Sequence, residues 1–209
     1  MNSESLASRW EAIYRRGEQL NRYPSEEVVA WFSTHHAQAT QRAQTAVLEL
    51  GCGAGNNLLF LAQSGFRCAG IEISAAALQV AEARLREAGL HAELALGDFA
   101  RLPFADSSFE VVLDRGALAC VDFAGARQAI AEAWRVLRPG GRLLFTPLAE
   151  GTRLAAHKAD LVGCLYTAAM VRELLASWQI QRWLRIERHD ELDDREPRIQ
   201  WWIEAAKPA

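Results

Sequence analysis

No C-x-x-C pair occurs in this chain: its four cysteines, Cys52, Cys68, Cys120 and Cys164, stand far apart. That spacing argues against a zinc ribbon or a thioredoxin-type redox centre. No histidine–carboxylate group has metal-ligand spacing, so no metal is expected. Scattered cysteines fit reduced thiols and a cytoplasmic setting. Apolar runs of membrane-spanning length are also missing, and no membrane partner is expected. The opening residues Met1-Asn2-Ser3-Glu4-Ser5 lack the positive start and apolar stretch of a secretory signal. Basic runs are missing as well. The net charge is −3, whereas a nucleic-acid footprint normally shows as a basic patch or stripe. A nucleic-acid partner is therefore not expected. Low-complexity tracts and internal repeats are absent, and 50% of the residues are hydrophobic, so a packed core is expected.

The 209 residues suit one α/β domain. Leu6, Trp10, Ile13 and Tyr14 mark one face of a helix over 5–16. Ser25 is placed to cap a second helix, with Glu26 and Glu27 at its positive end. Residues 1–40 thus read as a helical cover, and 41–209 as the main domain. Within the latter, strands and helices alternate. Strands are expected at 46–50, 67–73, about 91–96, 109–114 and 142–147. Helices are expected at 55–64, from Ser74 to Gly89, and at 123–138 behind Asp122 as cap, ended by Pro139-Gly140-Gly141. This order implies a parallel sheet with helices on both faces. Residues 148–165 look irregular. A helix from Thr167 to Trp178 and a hairpin of 179–188 with 199–206 finish the chain.

The most informative stretch is Val47-Leu48-Glu49-Leu50-Gly51-Cys52-Gly53-Ala54-Gly55-Asn56-Asn57. An apolar strand runs into three glycines at alternate positions, then into a helix. Such a corner binds nucleotides at the edge of an open α/β sheet. A dinucleotide fingerprint, G-x-G-x-x-G, would need a third glycine at position 56. Asn56 stands there, which disfavours a nicotinamide oxidoreductase.

This E-x-G-x-G-x-G stretch resembles motif I of the class I S-adenosylmethionine-dependent methyltransferases. The likeness continues in order through residues 47 to 147. It takes in Glu72 at the end of strand two, Gly97-Asp98-Phe99 after strand three, the run Leu102-Pro103-Phe104-Ala105-Asp106-Ser107-Ser108-Phe109, and Asp114-Arg115 after strand four. The family resemblance implies a doubly wound, seven-stranded, mostly parallel sheet with the last strand antiparallel beside the fifth. It implies S-adenosyl-L-methionine as cofactor. Glu49, Gly51, Cys52, Gly53, Gly55 and Asn56 would meet its amino-acid end and sugar. Glu72, with Ile73 beside it, would accept from the ribose diol. Asp98 and Phe99 would meet the adenine, and the backbone near Asp114 and Arg115 the methionine portion, with an anionic acceptor as the alternative partner of Arg115. The run 102–109 reads as structural.

Methyl transfer needs alignment more than a catalytic group, because the sulfonium is already activated. His157 is the candidate base for a hydroxyl acceptor. Trp10, Tyr14, Tyr23 and Tyr166 are candidates for the acceptor pocket or a lid. The front segment, with Trp10, Tyr14 and 21–27, is similar to that of bacterial small-molecule methyltransferases. The asparagine-proline-proline-aromatic tetrapeptide of nucleic-acid amino-methyltransferases is absent, which points to a small-molecule acceptor. A non-catalytic S-adenosylmethionine-binding protein is the alternative, because the binding motifs serve both.

Overall fold

A computed structural model describes residues 3–154, 160–189 and 197–209. Seven strands form one sheet in the order β3-β2-β1-β4-β5-β7-β6. They are β1 (Ala46–Leu50), β2 (Arg67–Glu72), β3 (Glu93–Leu96), β4 (Phe109–Asp114), β5 (Leu137–Phe145), β6 (Gln179–Arg188) and β7 (Arg198–Ala206). β1 to β5 pair in parallel, and β7 enters antiparallel between β5 and β6. The expected architecture is the one observed.

Alternation along the central strands divides the interior into two layers. Ala46, Leu48 and Leu50 of β1 face one cluster, together with Val112, Leu143 and Phe145. On that face lie α6 (Phe123–Val136) and α7 (Ala168–Leu174). Val47, Val111, Leu113 and Leu144 face the other cluster, with Leu58 and Leu61 of α4 (Asn56–Gln63) and Leu85 of α5 (Ala75–Glu87).

The N-terminal 40 residues do not behave as one cover. Helix α2 (Glu26–His35) is part of the second layer. Its Val28, Trp31 and Phe32 are buried against Val47, Leu58, Phe66 and Trp202. Each such side chain contributes about 1.5–3 kcal/mol when buried, which fixes α2 in place. A short α3 (Ala39–Gln44) follows, unheralded by any periodicity. Helix α1 (Ser3–Arg15) lies outside both layers, packed on α5.

Two polar clamps hold α1 and the loop after it. Oε2 of Glu11 accepts from the Ser74 hydroxyl at 2.8 Å and from the Ala76 N–H at 3.0 Å. A carboxylate at the positive end of α5 is well placed, and the bond to the Ala76 N–H, then that to Ser74, draws the Glu11 pKa down to about 2. Arg84 of α5 donates to three carbonyls, those of Leu20 (2.7 Å), Asn21 (2.8 Å) and Ala54 (2.8 Å). It thereby ties the loop after α1 to the glycine corner.

Local boundaries differ where pairing overrides helix signals. α6 ends at Val136, and Pro139-Gly140-Gly141 lies inside β5, whose register against β4 shifts between Phe109 and Val111. α7 ends at Leu174, short of Trp178. Asp122, Ser74 and Thr167 cap their helices through the side chain, but Ser25 does not. Its hydroxyl donates to Glu27 Oε2 instead, at 2.6 Å.

Replacing Arg84 by methionine keeps much of the side-chain volume and removes all three donations. Hydrogen bonds to a charged group contribute about 1.5–3 kcal/mol, and part of the stranded carbonyl surface can rehydrate. Urea unfolding of Arg84→Met is expected to show a loss of about 1–3 kcal/mol. An unchanged midpoint would mean that the clamp contributes nothing.

Candidate active site

The three glycines of the corner have left-handed backbones, with φ of +61° at Gly51, +54° at Gly53 and +75° at Gly55. A side chain at these angles is strained. It would also collide: a Cβ on Gly51 would meet Ala117 Cβ at 2.4 Å, and one on Gly53 the Tyr14 hydroxyl at 2.5 Å. The tight corner therefore answers to the protein's own packing, with Tyr14 of α1 lying directly over Gly53.

Glu72 holds the corner from beneath. Oε2 accepts from the Gly53 N–H at 2.9 Å, and Oε1 from the N–H groups of Ile73 (2.9 Å) and Ser74 (3.0 Å). Burial raises its pKa, and these three N–H donors oppose the rise. Each carboxylate oxygen accepts more than one bond, so capacity remains for a ribose diol.

Glu49 is 2% exposed. Oε1 accepts from Asn57 Nδ2 at 2.6 Å, while the buried Oε2 has no partner among the described residues. Burial pushes its pKa up to about 8; Asn57 and the Arg115 charge pull the other way, and the nearby Asp114 and Glu72 push further up. Asn57, in the first turn of α4, also accepts from the Ser25 N–H through Oδ1 at 2.9 Å. It thus couples Glu49 to the entry of α2.

These groups line a cavity of about 390 Å³. Of the residues read from sequence, Trp10, Tyr14, Glu49, Gly51, Cys52, Gly53, Asn56, Glu72, Ile73, Asp98, Phe99 and Arg115 all border it. Gly55 is the N-cap of α4 and stands beside Ala81. Asp98 keeps one oxygen on the Ala100 N–H at 2.8 Å.

Three expectations are corrected. The Asp114 carboxylate does not reach the cavity. It is fully buried and turns back on its own loop, accepting from the N–H groups of Leu118 (2.9 Å) and Gly116 (3.3 Å). Burial raises its pKa to about 6 against these bonds. Its task is to build the single 3-10 turn Ala117–Cys120 that closes one wall. Tyr166 is 0% exposed and packs edge-on to Phe145, and its hydroxyl donates to the Leu118 carbonyl at 2.8 Å. It braces the same turn from the core side and is neither lid nor pocket. The Tyr23 ring is 79% exposed and does not border the cavity; its carbonyl accepts from Asn56 Nδ2 at 2.9 Å. His157 lies outside the described residues.

Sequence reasoning missed Gln19, Asn21, Ser25, Asn57, Cys120 and Arg198 as cavity residues. The Asn56-Asn57 pair was a usable signal, since a polar residue in a buried first turn must find a partner. Arg198 carried none, because only the β6–β7 register brings it there. Burial pushes the Cys120 thiol up to about 12, which leaves it protonated and inert. Among the described residues, no group of histidines, cysteines or carboxylates could hold a metal.

The residues present fit S-adenosylmethionine. The unpartnered Glu49 oxygen suits an ammonium group, Glu72 suits a diol, and Asp98 with Phe99 suits an aminopurine. A family model described as a methyltransferase domain matches residues 47–141. A phthiotriol/phenolphthiotriol dimycocerosates methyltransferase of Mycobacterium ulcerans is 34% identical over 146 residues, covering 68% of this chain and 52% of that protein. A malonyl-[acyl-carrier protein] O-methyltransferase of Pseudescherichia vulneris is 31% identical over 123 residues, 59% of this chain and 47% of that protein. The chain spans about half the length of the curated relatives it matches. Among solved structures, the 1,6-didemethyltoxoflavin-N1-methyltransferase of Burkholderia thailandensis, with 1,6-didemethyltoxoflavin and S-adenosylhomocysteine bound, is similar in fold: the TM-score is 0.77 over 99% of this chain and 89% of that one, at 19% identity. Residues 47–141, which hold the glycine corner and its acidic partners Glu49 and Glu72, belong to the class I S-adenosylmethionine-dependent methyltransferases.

Proposed function

We propose that the protein transfers a methyl group from S-adenosylmethionine to a small-molecule acceptor. The observation that carries this reading is the unpartnered, fully buried Glu49 oxygen beside the glycine corner, in a cavity that also presents Glu72 and Asp98. A buried acceptor left without a donor is costly, and a cationic ligand would relieve it. The cavity of about 390 Å³ is of single-ligand size. The net charge of −3 favours a small acceptor over nucleic acid. The two named relatives are, by their names, methyltransferases of phthiotriol or phenolphthiotriol dimycocerosates and of malonyl-[acyl-carrier protein], and neither name includes a nucleic acid. Four cysteines without a disulfide suit a reducing, cytoplasmic compartment. No described helix is long and apolar enough to cross a membrane.

When bound, the donor supplies an activated methyl on a sulfonium, open to in-line displacement. The protein's own part is alignment. Glu72 and the corner would fix the sugar, Asp98 and Phe99 the base, and Glu49 the amino-acid end. Trp10 and Tyr14 of α1, with ring centroids 5.9 Å apart, cover the corner and keep bulk water from the reacting end. We retain Tyr14 as a contact and not as a base, because burial and then the nearby Glu72 raise its pKa.

Calorimetry is expected to detect binding of S-adenosylhomocysteine and none of NAD. Asp98→Asn, which keeps the bond to the Ala100 N–H, should weaken that binding by about 1–3 kcal/mol through loss of a charged acceptor. Equal affinity in the variant would put the adenine elsewhere.

The raised Glu49 pKa has a sign that can be checked. A carboxyl near 4.3 when unfolded and about 8 when folded holds its proton more tightly in the folded state. Its contribution to stability is complete below the unfolded value and is lost as pH rises towards the folded one. The ligand-free protein should therefore lose thermal stability between about pH 5 and about pH 8, and Glu49→Gln should remove part of that loss. An ammonium beside Glu49 would reverse the shift, so S-adenosylhomocysteine binding near neutral pH should release a proton. Binding enthalpies that do not change between buffers of different ionisation enthalpy would refute this linkage.

A further inference from the structure

We infer that the acceptor is an anion, and that Arg115 and Arg198 recognise its negative group. This deepens the methyltransferase reading and rests on it. Arg115 follows the last residue of β4 and borders the cavity beside the glycine corner. Its Nε donates to the Ser25 hydroxyl at 2.9 Å. Its terminal nitrogens make no hydrogen bond to another described residue. A guanidinium held by one edge and open on the other is the fork that carboxylates and phosphates take bidentately.

The hold on Arg115 is itself braced. The Ser25 hydroxyl donates to Oε2 of Glu27, and Oε1 of Glu27 accepts from Arg188 of β6. Burial alone would raise the Glu27 pKa, but the Ser25 hydroxyl, backbone and Arg188 bonds and the Arg115 charge take it down to about 2. Ser25 and Glu27 are thus positioning residues: they fix where the Arg115 fork sits, at the N-terminal entry of α2.

A second cation comes from β7. Arg198 opens β7 and borders the same cavity. It stands directly opposite Arg188 in the β6–β7 register. Glu27 pairs with Arg188, and Arg198 brings a second guanidinium to the cavity that Arg115 borders.

Two arginines, 115 and 198, border the cavity; its carboxyls are Glu49, Glu72 and Asp98, the last two facing the donor's sugar and base. Glu49 is also the group that faces the donor's ammonium, so it does not serve both. The donor brings a carboxylate of its own, which is the competing partner for Arg115, and the test separates the two.

A metabolite extract of the source cells is passed over a quaternary-amine resin at mildly alkaline pH. Flow-through and salt eluate are each assayed for methyl transfer from isotopically labelled S-adenosylmethionine. Fractionating the acceptor before reaction keeps the test valid if the anion is itself the methylated group. Transfer supported by the eluate and not by the flow-through is expected. With that fraction as acceptor, Arg115→Gln and Arg198→Gln should each raise the apparent KM about 10- to 100-fold, the loss of a charged hydrogen bond, while S-adenosylhomocysteine affinity moves far less. Glu27→Gln should raise KM with kcat little changed, and Ser25→Thr, which keeps the hydroxyl, should restore what Ser25→Ala loses. Transfer supported by the flow-through alone overturns the anionic acceptor and leaves the methyltransferase reading intact. An Arg115→Gln variant that loses S-adenosylhomocysteine affinity at unchanged acceptor KM overturns it too, and gives Arg115 to the donor. Absence of transfer from every fraction, with S-adenosylhomocysteine still bound, overturns both readings together.

Discussion

The carboxylate of Glu72 organises the site. Three backbone N–H groups, from Gly53, Ile73 and Ser74, converge on its two oxygens. One bond fixes the glycine corner after β1, and the other two fix the start of α5 after β2. Ser74 then passes the constraint outward: its Oγ accepts from the Ala77 N–H and donates to Glu11 of α1. A chain of four polar groups thus runs from the corner to the helix that covers it. Burying a carboxylate is tolerable because these donors surround it. The same carboxylate is the natural partner for a ribose, so the group that shapes the pocket also reads the ligand.

Glu49 is the opposite case. It is buried with half of its hydrogen-bonding capacity unused, and its raised pKa records the imbalance. Two acids near one cavity thereby take different roles from different surroundings. One is held by three backbone donors with capacity to spare, and is structural as well as contacting. The other is held by a single asparagine and poised for a cation. Arg115 lies near Glu49 but is tethered to Ser25, and so remains beside it without closing on it.

The fold was legible because its signals are redundant. Alternating apolar strands, glycine corners and helix caps all give the same order of elements. The cavity's cofactor side was legible for a related reason: strand C-termini in an open parallel sheet converge at one edge, so Glu72 and Asp98 are placed by position alone. The roles of Tyr166 and Asp114 were not legible. Tyr166 and Trp10 look alike in sequence, yet one braces the core and the other borders the cavity, and only packing decides. Asp114 ends a strand as Glu72 does, but a glycine two residues later lets its loop curl back onto the carboxylate. Arg198 enters the cavity through a strand register, which no local pattern encodes.

Helix α2 has a consequence for how the chain comes to be folded. Its buried face needs Trp202 of β7, and its Glu27 needs Arg188 of β6, a partner 161 residues away. During vectorial synthesis, that face emerges well before the strands it packs against. Such distant closure is entropically slow. In the interval, Val28, Trp31 and Phe32 present an open apolar surface next to a nascent parallel sheet, the condition under which chains associate wrongly. The antiparallel strand β7 adds Trp202 to that layer and brings Arg198 to the cavity. The cavity edge that Arg198 borders therefore forms only with this long-range pairing, so a chain made as far as α4 carries the glycine corner without it.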